Sequence, residues 1–145
     1  MFDVQSNTFI KRLADFFKEK DLIKVPQWAF LVKCSHGNEL PPLDSNWIFH
    51  KAAAVCRRLY VTQKMTVGVG HLKRHFGMKK RNGVKPPSHI TAGGKIIREI
   101  LKQLKRVNYV ENYAVKDSHV THGLLLTKTG RTELDKIASK LRSSK

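Results

Sequence analysis

Carboxylates are scarce in this sequence beside its cations: 11 Asp and Glu stand against 28 Lys and Arg, a formal charge of +17. Between Asp44 and Glu99 there is no acidic residue at all. That gap removes any carboxylate pair for general acid and base work from the middle of the chain, and the remaining acids sit among cations on amphipathic stretches. Cysteine is equally scarce. Cys34 and Cys56 form no CxxC and are too few to staple 145 residues, so two free thiols and a reducing compartment are expected. No apolar run approaches the roughly 18 residues of a membrane span, and no basic-then-apolar leader ends in a small-residue cleavage site. A soluble intracellular protein is expected.

Other chemistry is missing too. His71 and His75 stand four apart, but they lie in a glycine-rich stretch and the two cysteines are 22 positions apart, so no metal site is expected. The segment GVGHLKRHFG at 68–77 lacks the GxGxxG spacing and the GK[ST] ending of phosphate loops. No GxSxG elbow accompanies the Ser, His and Asp residues. The expectation is a protein with no enzymatic activity and no cofactor. No internal repeat occurs.

What is present is a block of one sign. Residues 48–106 hold 15 Lys or Arg against Glu99 alone, whereas the rest of the chain carries 13 basic and 10 acidic residues. A surface shaped only by solubility intersperses its signs, so a block of cations points to a polyanion. Its Gly, Pro and His content does not read as one continuous amphipathic helix, which favours nucleic acid over an acidic membrane surface. With 41% hydrophobic residues the chain can bury one core, and a single domain over 1–145 is expected.

Periodicity places the elements. Phe9, Ile10, Leu13, Phe16 and Phe17 fall at helical spacing after Ser6 or Asn7 as N-cap. Residues 27–33, behind Pro26, suggest another helix. Asp44, Ser45 and Asn46 can cap a helix over 47–61, whose projection gathers Trp47, His50, Lys51, Ala54, Arg57 and Arg58 on one arc. The opposite face is apolar, so this reads as a central helix with a single exposed cationic edge. Trp47 beside cations suits stacking and phosphate contact, although a solvated stripe with Trp47 covering the core explains the same pattern.

Over residues 68–91 the periodicity fails and cations accumulate: Lys73, Arg74, Lys79, Lys80, Arg81 and Lys85, with His71, His75 and His89. A long basic loop, mobile until it binds, is expected there. Ile97, Ile100, Leu101 and Leu104 then form a helical stripe, with Lys95, Arg98, Lys102 and Lys105 on other faces. A solvated face accounts for those cations as well as RNA does. Residues 107–115 and 123–126 read as a hairpin around a polar loop at 116–122. Thr127 can cap a last helix with Leu134, Ile137, Ala138 and Leu141 inward, before a frayed basic tail at 142–145.

Five stretches in order carry a family likeness: KVPQW (24–28), NWIFHKAAAVCRRLY (46–60), GVG (68–70), RNGVKPPSH (81–89) and LTKTGRTELDKIA (126–138). Together they resemble the nineteenth small-subunit ribosomal protein of the eukaryotic and archaeal kind. The resemblance implies a mainly α, winged-helix-like domain around the central helix, with a small β-hairpin as wing. It implies a structural constituent of the small-subunit head that binds rRNA and supports late pre-rRNA processing and subunit maturation. Its partners would be rRNA, pre-rRNA and neighbouring ribosomal proteins, with no membrane, no small-molecule substrate and no stable homo-oligomer. Its location would be the cytoplasmic ribosome, after nucleolar assembly in a eukaryote.

Carried over by position, the family's RNA-facing residues are Trp47, Lys51, Arg57, Gly68, Gly70, Arg81, Asn82, Gly83 and His89. Charge and position add Arg58, Lys73, Arg74, Lys79, Lys80 and Lys95. Three positions depart from the family pattern. Lys51 stands where Arg is usual, which keeps charge but loses planar bidentate contact; Pro86 is an extra proline beside Pro87; and Lys128 and Thr129 occupy a place where proline is common. The alternative from another class is a winged-helix DNA-binding regulator, with the helix over 95–106 entering a major groove.

Overall fold

The computed structural model describes residues 3–62, 66–114 and 121–143. Helix α1 (Ser6–Glu19) buries Phe9, Leu13, Ala14 and Phe17 and turns its charged residues outward. Its N-cap is Gln5 rather than Ser6 or Asn7, which lie in the first turn, and Phe9 N donates to Gln5 O at 3.0 Å. The helix ends where Asp21 takes φ 47°, one of the few side chains that tolerate that conformation, and Leu22 N reaches back to Phe17 O. The helix expected over 27–33 is one short 3₁₀ turn, Gln27–Leu31, closed by Ala29 N donating to Pro26 O. Only Ala29 in it is buried, too little apolar area to extend it.

Helix α2 (Trp47–Val61) is the central element, with nine of its fifteen residues buried. Its Ala52 and Ala53 are fully covered, and Tyr60 Oη donates to Asp135 Oδ1 at 2.7 Å. Helix α4 (Gly94–Arg106) buries Ile96, Ile97, Ile100, Leu101, Gln103 and Leu104, as its stripe predicts. It stops at Asn108, φ 57°, where Tyr109 N donates to Leu104 O. Strands β3 (Val110–Ala114) and β4 (Thr121–Leu126) pair antiparallel and turn Val110, Leu124 and Leu126 inward. Val67 adds a short third rung, exchanging both backbone hydrogen bonds with Leu124. Helix α5 (Lys128–Ser143) starts as expected: Gly130 N donates to Thr127 Oγ1 at 3.0 Å, and Leu134, Ile137 and Ala138 are buried. The expected frayed tail is helical as far as Ser143, and 144–145 lie outside the described residues.

The fold is therefore mainly α, with α2, a short helix α3 (Val69–His75) and α4 followed by the β3–β4 wing and closed by α1 and α5. Residues 68–91 require a correction, because they are not a loop. They form helix α3 (Val69–His75) and a hairpin of β1 (Met78–Asn82) and β2 (Lys85–Ile90). Leu72, fully buried, pins α3 to the core. The hairpin has almost no buried face, so backbone pairing and a built turn hold it rather than apolar alternation. Gly83 takes φ 68°, and Asn82 Nδ2 donates to Pro86 O and Ser88 Oγ. The base is tied down by the Ser35–Ala92 bridge, by Gly93 N to Cys34 O, and by Ser35 Oγ to Thr91 O.

Candidate nucleic-acid interface

Helix α3 organises the cations. Its His71 and His75 lie one turn apart and face α2, while Lys73, on roughly the opposite side, lies beside Gly94 and Arg98 of α4. On the α2 side, Arg58 Nη2 lies 3.2 Å from His71 Nε2, and Lys51 Nζ stands 4.5 Å from the centroid of the Phe76 ring. Burial pulls the Lys51 pKa down, offset in part by Cys34. Burial also lowers the His75 pKa, and Arg58, His71 and Lys51 lower it further.

Trp47 does not serve as an exposed stacking platform. Its side chain is 8% exposed and belongs to the core, because burying an indole at the start of the central helix stabilises by about 2–3 kcal/mol. The cationic edge is thus Lys51, Arg57 and Arg58, all half-buried. It also has an acid at one end: His50 Nε2 is 3.4 Å from Asp44 Oδ2.

Gly68 is the extended residue before α3 and Gly70 lies in its first turn; a Cβ at either would meet nothing within 4 Å. Among the described residues no packing demands either glycine, so the surface there is open to them. On the hairpin, Lys79 and Arg81 are exposed and Gly83 forms the tip beside the fully exposed Val84. Lys80 Nζ is 2.9 Å from His36 Nε2, and the His89 ring covers Gly77. Arg74 is exposed, and Lys95 Nζ lies 4.8 Å from the Trp28 ring centroid. The structure thus sorts the candidates into an α2–α3 cluster, a basic finger and a fringe on α4.

One feature escapes sequence reasoning. Arg98, Lys102, Lys105 and Arg106 line a cleft of about 750 Å³ between α4, the start of α3 and the β3–β4 wing. Gly68, Val69, Leu101, Asn112, Gly123 and Leu124 also line it, with Asn112 Oδ1 accepting from Lys105 Nζ at 2.6 Å, and among the described residues no carboxylate does. The spacing of the α4 cations signals only an exposed face; the opposing wall comes from the wing. Among the described residues no group of three or more His, Cys, Asp or Glu side chains could hold a metal ion, and no helix is long and apolar enough to cross a membrane. Cys34 and Cys56 are both free thiols.

The model of the family described as Ribosomal protein S19e matches residues 1–144. The chain belongs to the S19e family. Among curated relatives of this S19e chain, the small ribosomal subunit protein eS19 of Argopecten irradians is 39% identical over 140 residues, covering 97% of this chain and 92% of the relative. That of Emericella nidulans is 37% identical, covering 94% and 87%. The protein eS19A of Saccharomyces cerevisiae is 36% identical, covering 94% and 90%. The five family-like stretches thus lie in an S19e ribosomal protein matched over almost its whole length.

Proposed function

We propose that this S19e protein is a structural constituent of the small ribosomal subunit that binds rRNA in the subunit head and supports pre-rRNA processing and maturation. The observation that carries the reading is the run of cations around α3. Lys51, Arg57 and Arg58 lie on one side, Lys73 and the α4 cleft on the other, and Lys79, Lys80, Arg81 and Lys85 project on the hairpin. No acid lies between Asp44 and Glu99 to neutralise them.

Such a surface stabilises one rRNA fold by placing cations where phosphates converge, and the counterions released make binding strongly salt-dependent. Shape is read more than sequence, since side chains cannot enter the deep groove of an A-form helix. The hairpin acts as a formed finger between rRNA helices, so less ordering entropy is lost on docking than a flexible arm would lose. Arg57, Arg58, Arg74, Arg81 and Lys95 contact phosphates, and the open surface at Gly68 and Gly70 admits a close backbone. Neighbouring ribosomal proteins cover the outer helices α1 and α5, and the protein works in the cytoplasmic ribosome after a nucleolar assembly phase. It performs no reaction of its own.

The DNA-regulator alternative draws on the basic outer face of α4 beside the wing, but that reading leaves the cations of α2, α3 and the hairpin without a role. A sucrose gradient of cell lysate separates the two. Co-sedimentation with small subunits that survives DNase and is abolished by RNase is expected. Free sedimentation under every condition overturns the proposal.

A further inference from the structure

Four basic groups converge at the junction of α2 and α3 with no acid among them. Arg58 Nη2 points at His71 Nε2 across 3.2 Å. A guanidinium only donates, so in this contact His71 offers the lone pair of Nε2 and is the neutral tautomer with its proton on Nδ1. Arg58 Nε is buried and has no hydrogen-bond partner among the described residues. A buried guanidinium N–H left unpaired is costly, and a neutral imidazole is a weak substitute for an anion. His75 stands close enough to Arg58, His71 and Lys51 for all three to disfavour its proton. Lys51 faces the same junction from α2, with Cys34 beside it. Lys73 and Arg98 lie together at the α3–α4 contact, beside Gly94. Residues 45–98 contain no carboxylate that could fill the gap.

We propose that Arg58, His71, His75 and Lys51 form a site for a single phosphate group, which the two imidazoles grip by taking up protons as it binds. As the anion docks, the Arg58 side chain turns its buried Nε outward, so that Nε and Nη2 fork to two phosphate oxygens and the orphan Nε is satisfied. Once the phosphate replaces it as acceptor, His71 Nε2 picks up a proton from solvent and donates to the same anion. His75 gains its proton for the same reason, the anion offsetting the repulsion from its three neighbours. The linkage has a definite sign. Because the anion favours the charged form of an imidazole beside it, the bound state holds more protons, and affinity rises as pH falls. The proposal rests on the RNA-binding reading only in naming a backbone phosphate as the natural occupant; a free phosphate has the same chemistry.

The test uses the full chain and follows the imidazole C–H resonances by NMR. Titration with inorganic phosphate at about pH 6, where an ordinary histidine is half charged, should move His71 and His75 saturably and raise their apparent pKa. Arg58→Lys, which keeps the charge and loses the fork, should weaken that response severalfold. A second arm measures a short RNA duplex at about pH 8 and about pH 6, bracketing histidine titration. From the higher pH to the lower one, wild type should tighten at least about fivefold more than the double variant His71→Asn, His75→Asn, whatever their difference at the higher pH. Both histidines are exposed, so the variant keeps its core. Shifts with inorganic phosphate but none with the duplex keep the site and assign it a free phosphate. Duplex binding with the same pH response in wild type and variant, and no shift with phosphate, overturns the site while leaving the RNA reading intact. Shifts with phosphate in a chain that binds no RNA at either pH keep the site and refute the RNA reading.

Discussion

Gln103 on α4 grips the backbone of Lys24 with both ends of its amide, accepting from Lys24 N at 2.8 Å and donating to Lys24 O at 2.9 Å. The pair works as a two-rung strand contact made by a side chain, and it fastens the segment before the 3₁₀ turn to the buried face of α4. Gln103 is 7% exposed, so it is buried along with the isoleucines of the same face. Replacing it by Leu would keep the volume and strand both Lys24 groups. A loss of about 1–2 kcal/mol is expected in urea denaturation, since Lys24 lies at the surface and each of these part-buried hydrogen bonds contributes about 0.5–1.5 kcal/mol. A loss under about 0.5 kcal/mol would show that Lys24 finds other partners.

Alkaline stability follows from two groups near the core. Burial pushes the Cys56 thiol from 9.0 up to about 12, and burial with Glu133 and Cys56 pushes the Tyr109 phenol from 10.0 up to about 12. Both folded values lie above the unfolded ones, so the unfolded chain loses its protons first. Their contribution is complete below about pH 9 and disappears as pH rises through the window from 9 to about 12. Cys56→Ala should flatten the fall of melting temperature between those values, at some cost from the cavity, and Tyr109→Phe should flatten it further. An unchanged slope in both variants would assign alkaline unfolding to other groups. The buried Cys56 should also label with a thiol reagent only at the rate of unfolding, whereas the half-exposed Cys34 labels in the native state.

The long helices were legible because their apolar stripes contrast with charge. Ile97, Ile100, Leu101 and Leu104 repeat at helical spacing and all are buried, and the Thr127 cap lies where its neighbours imply. The elements at 68–91 were hidden for opposite reasons. Seven-residue α3 buries only Leu72, too little to establish a period, and β1–β2 bury no side chain fully. Pro86 and Pro87 argue against a strand, yet in a two-stranded hairpin with a register shift opposite them their missing N–H groups break nothing. The cations of the interface were visible as charge. That Trp47 turns inward, and that the α4 cations face a wing across a cleft, depends on packing between distant segments.

The seat of the basic finger depends on Gly77. A Cβ there would stand 2.5 Å from Ile90 O and under 3 Å from the His89 ring, and the carbonyl cannot move without opening the base of the hairpin. Gly77→Ala should therefore cost about 1–3 kcal/mol of strain, released by splaying β1 from β2 rather than by unfolding the core. Hydrogen exchange should accelerate at residues 78–90 and remain slow in α1 and α5. Uniform acceleration would mean that the hairpin and the core open together.

The α4 cleft can be tested by salt rather than by affinity alone. Arg98 and Lys102 are exposed, so changing both to Ala should move stability by no more than about 0.5 kcal/mol. If each meets a phosphate of an A-form helix, each releases counterions on binding. The slope of log K against log salt for a short RNA duplex should then shrink by roughly 0.7–0.9 per residue lost, or about 1.4–1.8 for the pair. A matched pair, Lys11→Ala with Lys140→Ala, removes the same charge from α1 and α5, away from the interface. That control lowers the general attraction without removing a contact, so its slope should stay near wild type. Equal slopes for the two pairs would reduce the cleft to a solvated face and confine RNA contact to α2, α3 and the finger.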